Sequence, residues 1–218
     1  MREGFYFDLH VHSLYSKDSL LKPDEIIKIS ESKGIDAIAI TDHNTIFGGL
    51  KAKSIVQDSV MVIVGSEIKT DFGDLIGLFL NEEIKSRVFL DVVDEIKEQD
   101  GIVVLPHPYR RKRFPTIEML KNVNVIEGIN GRTSDELNSK AQSLAKKLNI
   151  PSVAGSDSHF SFELGNLINC IRVSYCEEEE LRKQILSNNS IFYYKKNSLL
   201  ARKSCIFSSY LLKKIHIF

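Results

Sequence analysis

The segment FYFDLHVHS, residues 5–13, decides how this chain is read. Alternate side chains of a β-strand share a face, so His10 and His12, at i and i+2, point the same way. Asp8 joins them in a polar stripe within an otherwise apolar strand, a combination that packing alone explains badly. Imidazole is the commonest metal ligand in proteins, and two imidazoles on one face make half a metal site. Two buried structural histidines would produce the same pattern, so the decision falls to the sequence around it.

Outward from that strand, short apolar runs alternate with amphipathic stretches. Strands are expected at Tyr6–Val11, Ala37–Thr41, Val60–Ser66, Leu75–Leu80, Ile102–Pro106, Val125–Ile129 and Ser152–Gly155. One helix should open at Lys22-Pro23-Asp24, with proline and acids in its first turn, and stop at Gly34. Others are expected at Glu83–Gln99, Ser134–Leu148 and Glu177–Ser187. The strands are near-continuously apolar rather than alternating, which predicts a parallel sheet covered by helices. About seven such units in 218 residues suggest an α/β fold closed, or nearly closed, as a (β/α) barrel; an open doubly wound sheet is the alternative. Neither GxGxxG after the first strand nor GxxxxGK[ST] occurs, so a nucleotide-cofactor fold finds no support.

In a (β/α) barrel the C-terminal ends of the strands converge on one mouth. Metal-capable residues follow nearly every expected strand: His10 and His12, with Asp18 beyond; Asp42 and His43 in TDHNT; Glu67 in GSEI; His107 in LPHPYR; Asp157 and His159 in GSDSH. Five of the six histidines are placed in this way, and the sixth, His216, lies in the tail. Capping or core packing explains one such residue but not the whole series, and a multinuclear metal site is the expectation.

DLHVHS, TDHN, the glutamate of GSEI, the HP of PHPYR and GSDSH together resemble the ordered motifs of the PHP family, named for its polymerase-associated and histidinol phosphatase members. The resemblance covers about residues 5–175. It implies a distorted TIM-like (β/α)7 barrel, two or three divalent metal ions, and hydrolysis of a phosphoester by metal-activated hydroxide. By the same resemblance His10, His12, Glu67 and Asp157 would hold one metal. Glu67 would bridge to a second, completed by His107, and Asp18, His43 and His159 would hold a third. The mixture of imidazole and carboxylate suits Zn, Mn or Fe. The chain departs from many relatives at GDLIGLF, where Asp74 stands in the place of a histidine. Asp74 either ligates the second metal, the favoured reading, or caps the start of its strand. Asp42 would orient a ligand, and it or Asp157 would move a proton, with Glu67 as the third catalytic carboxylate. Arg110 and Arg132 follow their strands directly and are expected to grip substrate phosphate; Arg111, Lys112 and Arg113 read as a solvated run.

The substrate is expected to be a small phosphorylated molecule, a phosphomonoester or nucleotide, with nucleic acid possible but not favoured. The alternatives are a metal-dependent amidohydrolase, which also opens with HxH but commonly bridges its metals with a modified lysine, and a non-catalytic regulatory module of the same family. The hydrophobic share of 43% and charged share of 27% are those of a soluble globular protein. No apolar run reaches membrane-spanning length, the N-terminus does not read as a secretory signal, and Cys170, Cys176 and Cys205 contain no CxxC. A reducing cytoplasm is the expected compartment, and oligomeric state is not legible. The zero net charge hides an asymmetry: eight basic and no acidic residues follow Glu180, so the last 38 residues carry +8 and residues 1–180 carry −8. Residues 1–188 are accordingly expected to form one domain. Residues 189–218 would be a basic extension, most simply a docking helix with Leu200, Phe207, Leu211, Ile215 and Phe218 on one face.

Overall fold

Strands β1 (Phe5–Val11), β2 (Ala37–His43), β3 (Met61–Thr70), β4 (Gly73–Leu78), β5 (Ile102–Leu105), β6 (Val125–Asn130) and β7 (Ser152–Gly155) wrap into a nearly closed barrel-like sheet. The structure is a computed structural model and describes residues 4–55, 59–110, 114–173, 175–187 and 191–194. Around the sheet lie helices α1 (Pro23–Lys33), α2 (Phe47–Lys53), α3 (Phe89–Glu98), α4 (Ile117–Leu120), α5 (Asp135–Leu148) and α6 (Glu178–Leu186). Two further strands, β8 (Leu167–Ile171) and β9 (Ile191–Tyr194), extend the sheet outward from β1 in the order β7-β6-β5-β4-β3-β2-β1-β8-β9.

The helices form where their sequences place caps and apolar faces. Helix α1 has Pro23 and two acids in its first turn, and Gly34 ends it in the left-handed conformation at φ 67°. Ser134 caps α5 by accepting from the Leu137 amide, and Asn149 closes it at φ 53°. The expected helix over 83–99 forms only from Phe89. Before it, the amides of Lys85 and Ser86 donate to the Glu95 carboxylate, and the Arg87 guanidinium binds the carbonyls of Ile84, Lys85 and Ser86. These side-chain bonds satisfy the backbone without a helical turn.

The sheet is mixed, not all parallel as its apolar runs suggest. β4 lies antiparallel to both β3 and β5, and β8 is antiparallel to β1 and β9. The inversion has a consequence for the mouth: the start of β4, not its end, reaches the rim where the parallel strands finish. β1 divides its free edge. Its first half pairs with β8, while beyond β7 the Asp157 amide donates to the His10 carbonyl and the His12 amide to the Ser158 carbonyl, closing the barrel. Buried Asn169 of β8 spans the seam, accepting from the Ala154 amide and donating to the carbonyls of Ala154 and Phe7.

Phe5, Phe7, Leu9, Ala39, Ile63, Ile76, Val104, Val125 and Val153 fill the barrel interior, and Leu181 and Ile185 of α6 pack against them. Two further apolar clusters lie outside the sheet, beneath α3 and beneath α1 and α2. Fully burying one such large side chain contributes about 1.5–3 kcal/mol. No helix among the described residues is long and apolar enough to cross a membrane. The expected docking helix of the tail lies outside the described residues. β9 pairs with β8 beyond residue 188.

Candidate metal centre

A β-bulge sets the two opening histidines. The register of β1 on β2 shifts between Asp8 and Val11. Before the shift the odd residues Phe5, Phe7 and Leu9 pack inside the barrel; after it Val11 packs outside with Ile38 and Ile40 beneath α1. The inward face thus passes from odd to even residues, and His10 and His12 turn to the mouth. Bulges commonly re-aim side chains in this way next to functional sites. Asp8 does not continue their stripe: its Oδ1 accepts from the backbone amides of His10 and Ser156.

The ring nitrogens converge. His10 Nε2 and His12 Nε2 stand 3.0 Å apart, with Glu67 Oε2 at 3.7 and 3.4 Å and Asp157 Oδ1 at 3.6 and 3.4 Å from them, respectively. Glu67 lies inside β3 rather than after it. Its Oε1 is 2.8 Å from His107 Nε2, and Asp74, at the start of the inverted β4, joins this pair within 4.8 Å. Glu67 Oε2 also meets His43 Nδ1 at 2.9 Å, and Asp18 lies 3.4 Å from His43 Nε2 and 3.1 Å from His159 Nε2. All nine expected metal-binding side chains therefore gather at one mouth, with Glu67 central.

The donor set suits cations. The Nδ1 atoms of His10 and His12 face the Glu127 carboxylate at 2.8 Å and Ser16 Oγ at 3.1 Å, so both Nε2 lone pairs remain for the centre. His43 Nε2 is buried without a hydrogen-bond partner. Two of the expected ligands hold left-handed backbone, His107 at φ 30° and Asp157 at φ 55°. Such conformations cost of order 1–3 kcal/mol and persist only where neighbours over-determine them. Here the His107 amide donates to Glu127 Oε2 and the Asp157 amide to the His10 carbonyl.

Electrostatics tie the groups together. Burial alone would lower the His10 pKa, but the carboxylates of Asp157 and Glu127 overcome it and raise it well above the usual range. Burial likewise opposes His43, which Glu67 and Asp18 push up to about 10. His12 goes the other way, held well down by burial and by His159 and His43. Burial would raise the acids, but His43 and His10 hold Glu67 well below its usual value, and His10 and Arg110 do so for Asp157.

The remaining expected residues divide. Asp42 is fully buried and accepts from the Ser13 amide and the hydroxyls of Ser13 and Ser16. Because Ser16 Oγ in turn meets His12 Nδ1, Asp42 acts one hydroxyl removed from the centre. Arg110, its side chain 34% exposed, directs Nη2 to Asp157, Asn130 and Thr133 at 2.8, 2.6 and 2.9 Å. Arg132 is largely buried, with Nε paired at 3.1 Å to Glu163, whose other oxygen accepts from the amides of His159 and Phe160. That pairing braces the His159 loop. The expected residues omit Glu127, Asn130 and Glu163. A carboxylate inside the apolar run VIEGIN is the sequence signal that marks the first of these.

The chain matches the PHP domain family model over residues 8–208. It is 38% identical over 170 residues to an uncharacterized protein of Methanocaldococcus jannaschii, covering 73% of this chain and 67% of that protein. It is 28% identical over 226 residues to a protein of Acetivibrio thermocellus called a probable phosphatase, covering 86% of this chain and 92% of that one. Among solved structures, a two-domain Bacteroides vulgatus protein containing a predicted PHP-like metal-dependent phosphoesterase superposes with a TM-score of 0.67 at 20% identity. That match covers 88% of this chain, which spans 65% of the solved one.

Proposed function

The chain belongs to the PHP domain family, and from that premise we propose that it is a metal-dependent hydrolase of phosphoesters, with small phosphomonoesters or nucleotides as its substrates. The observation that carries this reading is that Glu67 and Asp157 each stand 3.4–3.7 Å from the Nε2 atoms of both His10 and His12, themselves 3.0 Å apart, with Glu67 shared by His43 and His107. We assign His10, His12, Glu67 and Asp157 to one cation, Glu67, Asp74 and His107 to a second, and Asp18, His43 and His159 to a third. Two or three divalent ions, Zn, Mn or Fe, match this set.

When bound, the ions supply an acidified water and charge neutralisation for the phosphoryl oxygens. The chain's own residues do the rest. Glu127 and Ser16 fix the ring orientations of His10 and His12. Arg110 neutralises the outer oxygen of Asp157 and offers the exposed part of its guanidinium to a phosphoryl group. Asp157 Oδ1 faces both ring nitrogens and would be the carboxylate oxygen that holds the cation beside them. The probable phosphatase of A. thermocellus supports this choice of substrate class. Three cysteines without a CxxC suit a reducing cytoplasm.

Asp157→Asn and His12→Ala test the reading. Each is expected to lower hydrolysis of p-nitrophenyl phosphate by at least roughly a hundredfold while circular dichroism stays native. Full activity in either variant would overturn the assignment.

A further inference from the structure

Among the described residues, His43 is the expected ligand that opens most to solvent through the mouth, its side chain 30% exposed where those of His10, His12, Asp18, Glu67, His107, Asp157 and His159 are at most 5% exposed. The segments next to it expose apolar side chains. Leu14, Tyr15, Leu20, Phe47, Leu50 and Phe162 are 40–58% exposed, and all six lie in the segments that follow β1, β2 and β7. Asp18 and His159 lie in two of these segments, and His43 ends β2 just before the third. Backbone contacts join the segments into one arc. A Cβ on Gly48 would collide with Ser13 Oγ and the Asp42 carboxylate, so the start of α2 lies against the segment that follows β1. The Leu14 amide donates to the Leu21 carbonyl, and the Leu20 amide donates to the His159 carbonyl, three residues before Phe162. Phe47 and Leu50, at i and i+3, share one side of α2. Phe162 stacks on Phe160 at 5.7 Å and 7°. Half of the large exposed apolar side chains of the described residues thus lie in the three segments that adjoin Asp18, His43 and His159.

A concentrated exposed apolar surface marks a binding site, and this one borders the reacting centre. Resting on the phosphoesterase reading above, we propose that the arc of Leu14, Tyr15, Leu20 and Phe47 is the subsite for the organic half of the substrate, and that this half is a flat apolar ring joined closely to the phosphate. The phosphoryl group would lie over the ligands with Arg110 on its far side, and the ring would leave across His43 onto Tyr15 and Phe47. Aromatic rings pair offset-stacked or edge-to-face at low cost in conformational freedom, and a surface with the Tyr15 hydroxyl as its one polar side-chain group offers a polyol few hydrogen-bonding partners.

The test separates ring recognition from chemistry, because an aryl leaving group also speeds hydrolysis. The full-length, Mn2+-loaded protein is titrated calorimetrically with phenylphosphonate and with methylphosphonate, which share the phosphonate group and cannot turn over. Phenylphosphonate is expected to bind at least roughly tenfold more tightly, a difference of about 1.4 kcal/mol. In the double variant Tyr15→Ser/Phe47→Ser that ratio should fall towards one, with thermal unfolding as a check that the fold is kept. Equal affinities in the native protein, or an undiminished ratio in the variant, would overturn the inference and leave the phosphoesterase reading standing. Failure of both phosphonates to bind, together with no phosphoester hydrolysed, would overturn both. Concentration-dependent self-association abolished by Phe47→Ser, with equal phosphonate affinities, would assign the arc to a second copy of the chain instead.

Discussion

At Gly155 one hydrogen atom decides whether the centre can assemble. A Cβ there would stand 2.0 Å from Glu127 Oε1 and 2.6 Å from His10 Cβ, so only glycine lets β7 approach the pair that orients the first histidine. Asp8, two residues before His10, poses a different problem. It is fully buried, and burial raises its pKa from 3.8 to about 6, with the hydrogen bonds from Ser156 and His10 offsetting only part of the rise. The folded state therefore holds this proton more tightly than the unfolded chain does. The resulting stability is fully present below about pH 4 and is lost as pH rises through about 6, roughly 3 kcal/mol in all. Asparagine keeps the acceptor oxygen for the two amides and removes the charge. Asp8→Asn should therefore gain stability relative to the native metal-free protein by about that amount between pH 4 and pH 7.5, measured by urea unfolding. A difference that does not vary with pH would show that Asp8 is ionised throughout.

Among the elements, the start of the seam between β1 and β7 is bridged by a side chain of β8. Asn169 satisfies the Ala154 amide and carbonyl and the Phe7 carbonyl, all within the closed interior. Asn169→Ala would leave these groups unpaired, and each buried unsatisfied group costs about 1–3 kcal/mol. We expect a loss of about 3 kcal/mol in chemical denaturation, with hydrogen exchange of the Ala154 amide accelerated first. A loss below about 1 kcal/mol would mean that the seam is held elsewhere. Neither this strand nor the direction of β4 is legible in the sequence. LINCI and GDLIGL are short apolar runs that read the same whether paired parallel or antiparallel. The bulge in β1 is equally silent, since strict alternation from Phe5 would have His10 and His12 on the face opposite Phe7 and Leu9. Yet the gathering of the expected ligands at one mouth is readable. A histidine or carboxylate at the end of an apolar run has few structural reasons to recur five times. The same signal in VIEGIN shows that Glu127 was within reach.

Across the whole molecule the centre is a place where positive charge is required, set in a body of net −8 over residues 1–180. Without cations the carboxylates draw protons instead: His10 is raised well above the usual histidine range and His43 to about 10. Both imidazolium groups add stability to the metal-free fold that is fully present below the unfolded histidine value near 6.5 and, for His43, is lost as pH rises through about 10. A divalent ion must displace those protons from the same nitrogens. Its apparent affinity should therefore climb with pH across 6–9, and titration calorimetry in buffers of different ionisation enthalpy should find about one to two protons released in filling the centre at pH 7.5. Bound ions should also raise the unfolding temperature in proportion to the logarithm of their concentration, since the unfolded chain no longer gathers the ligands. Arg110 keeps its charge at these pH values and contributes nothing to the release. Binding without proton release, or with an affinity flat between pH 6 and 9, would place the cations away from His10 and His43 and would dissolve the link between the clustered histidines and the chemistry assigned to them.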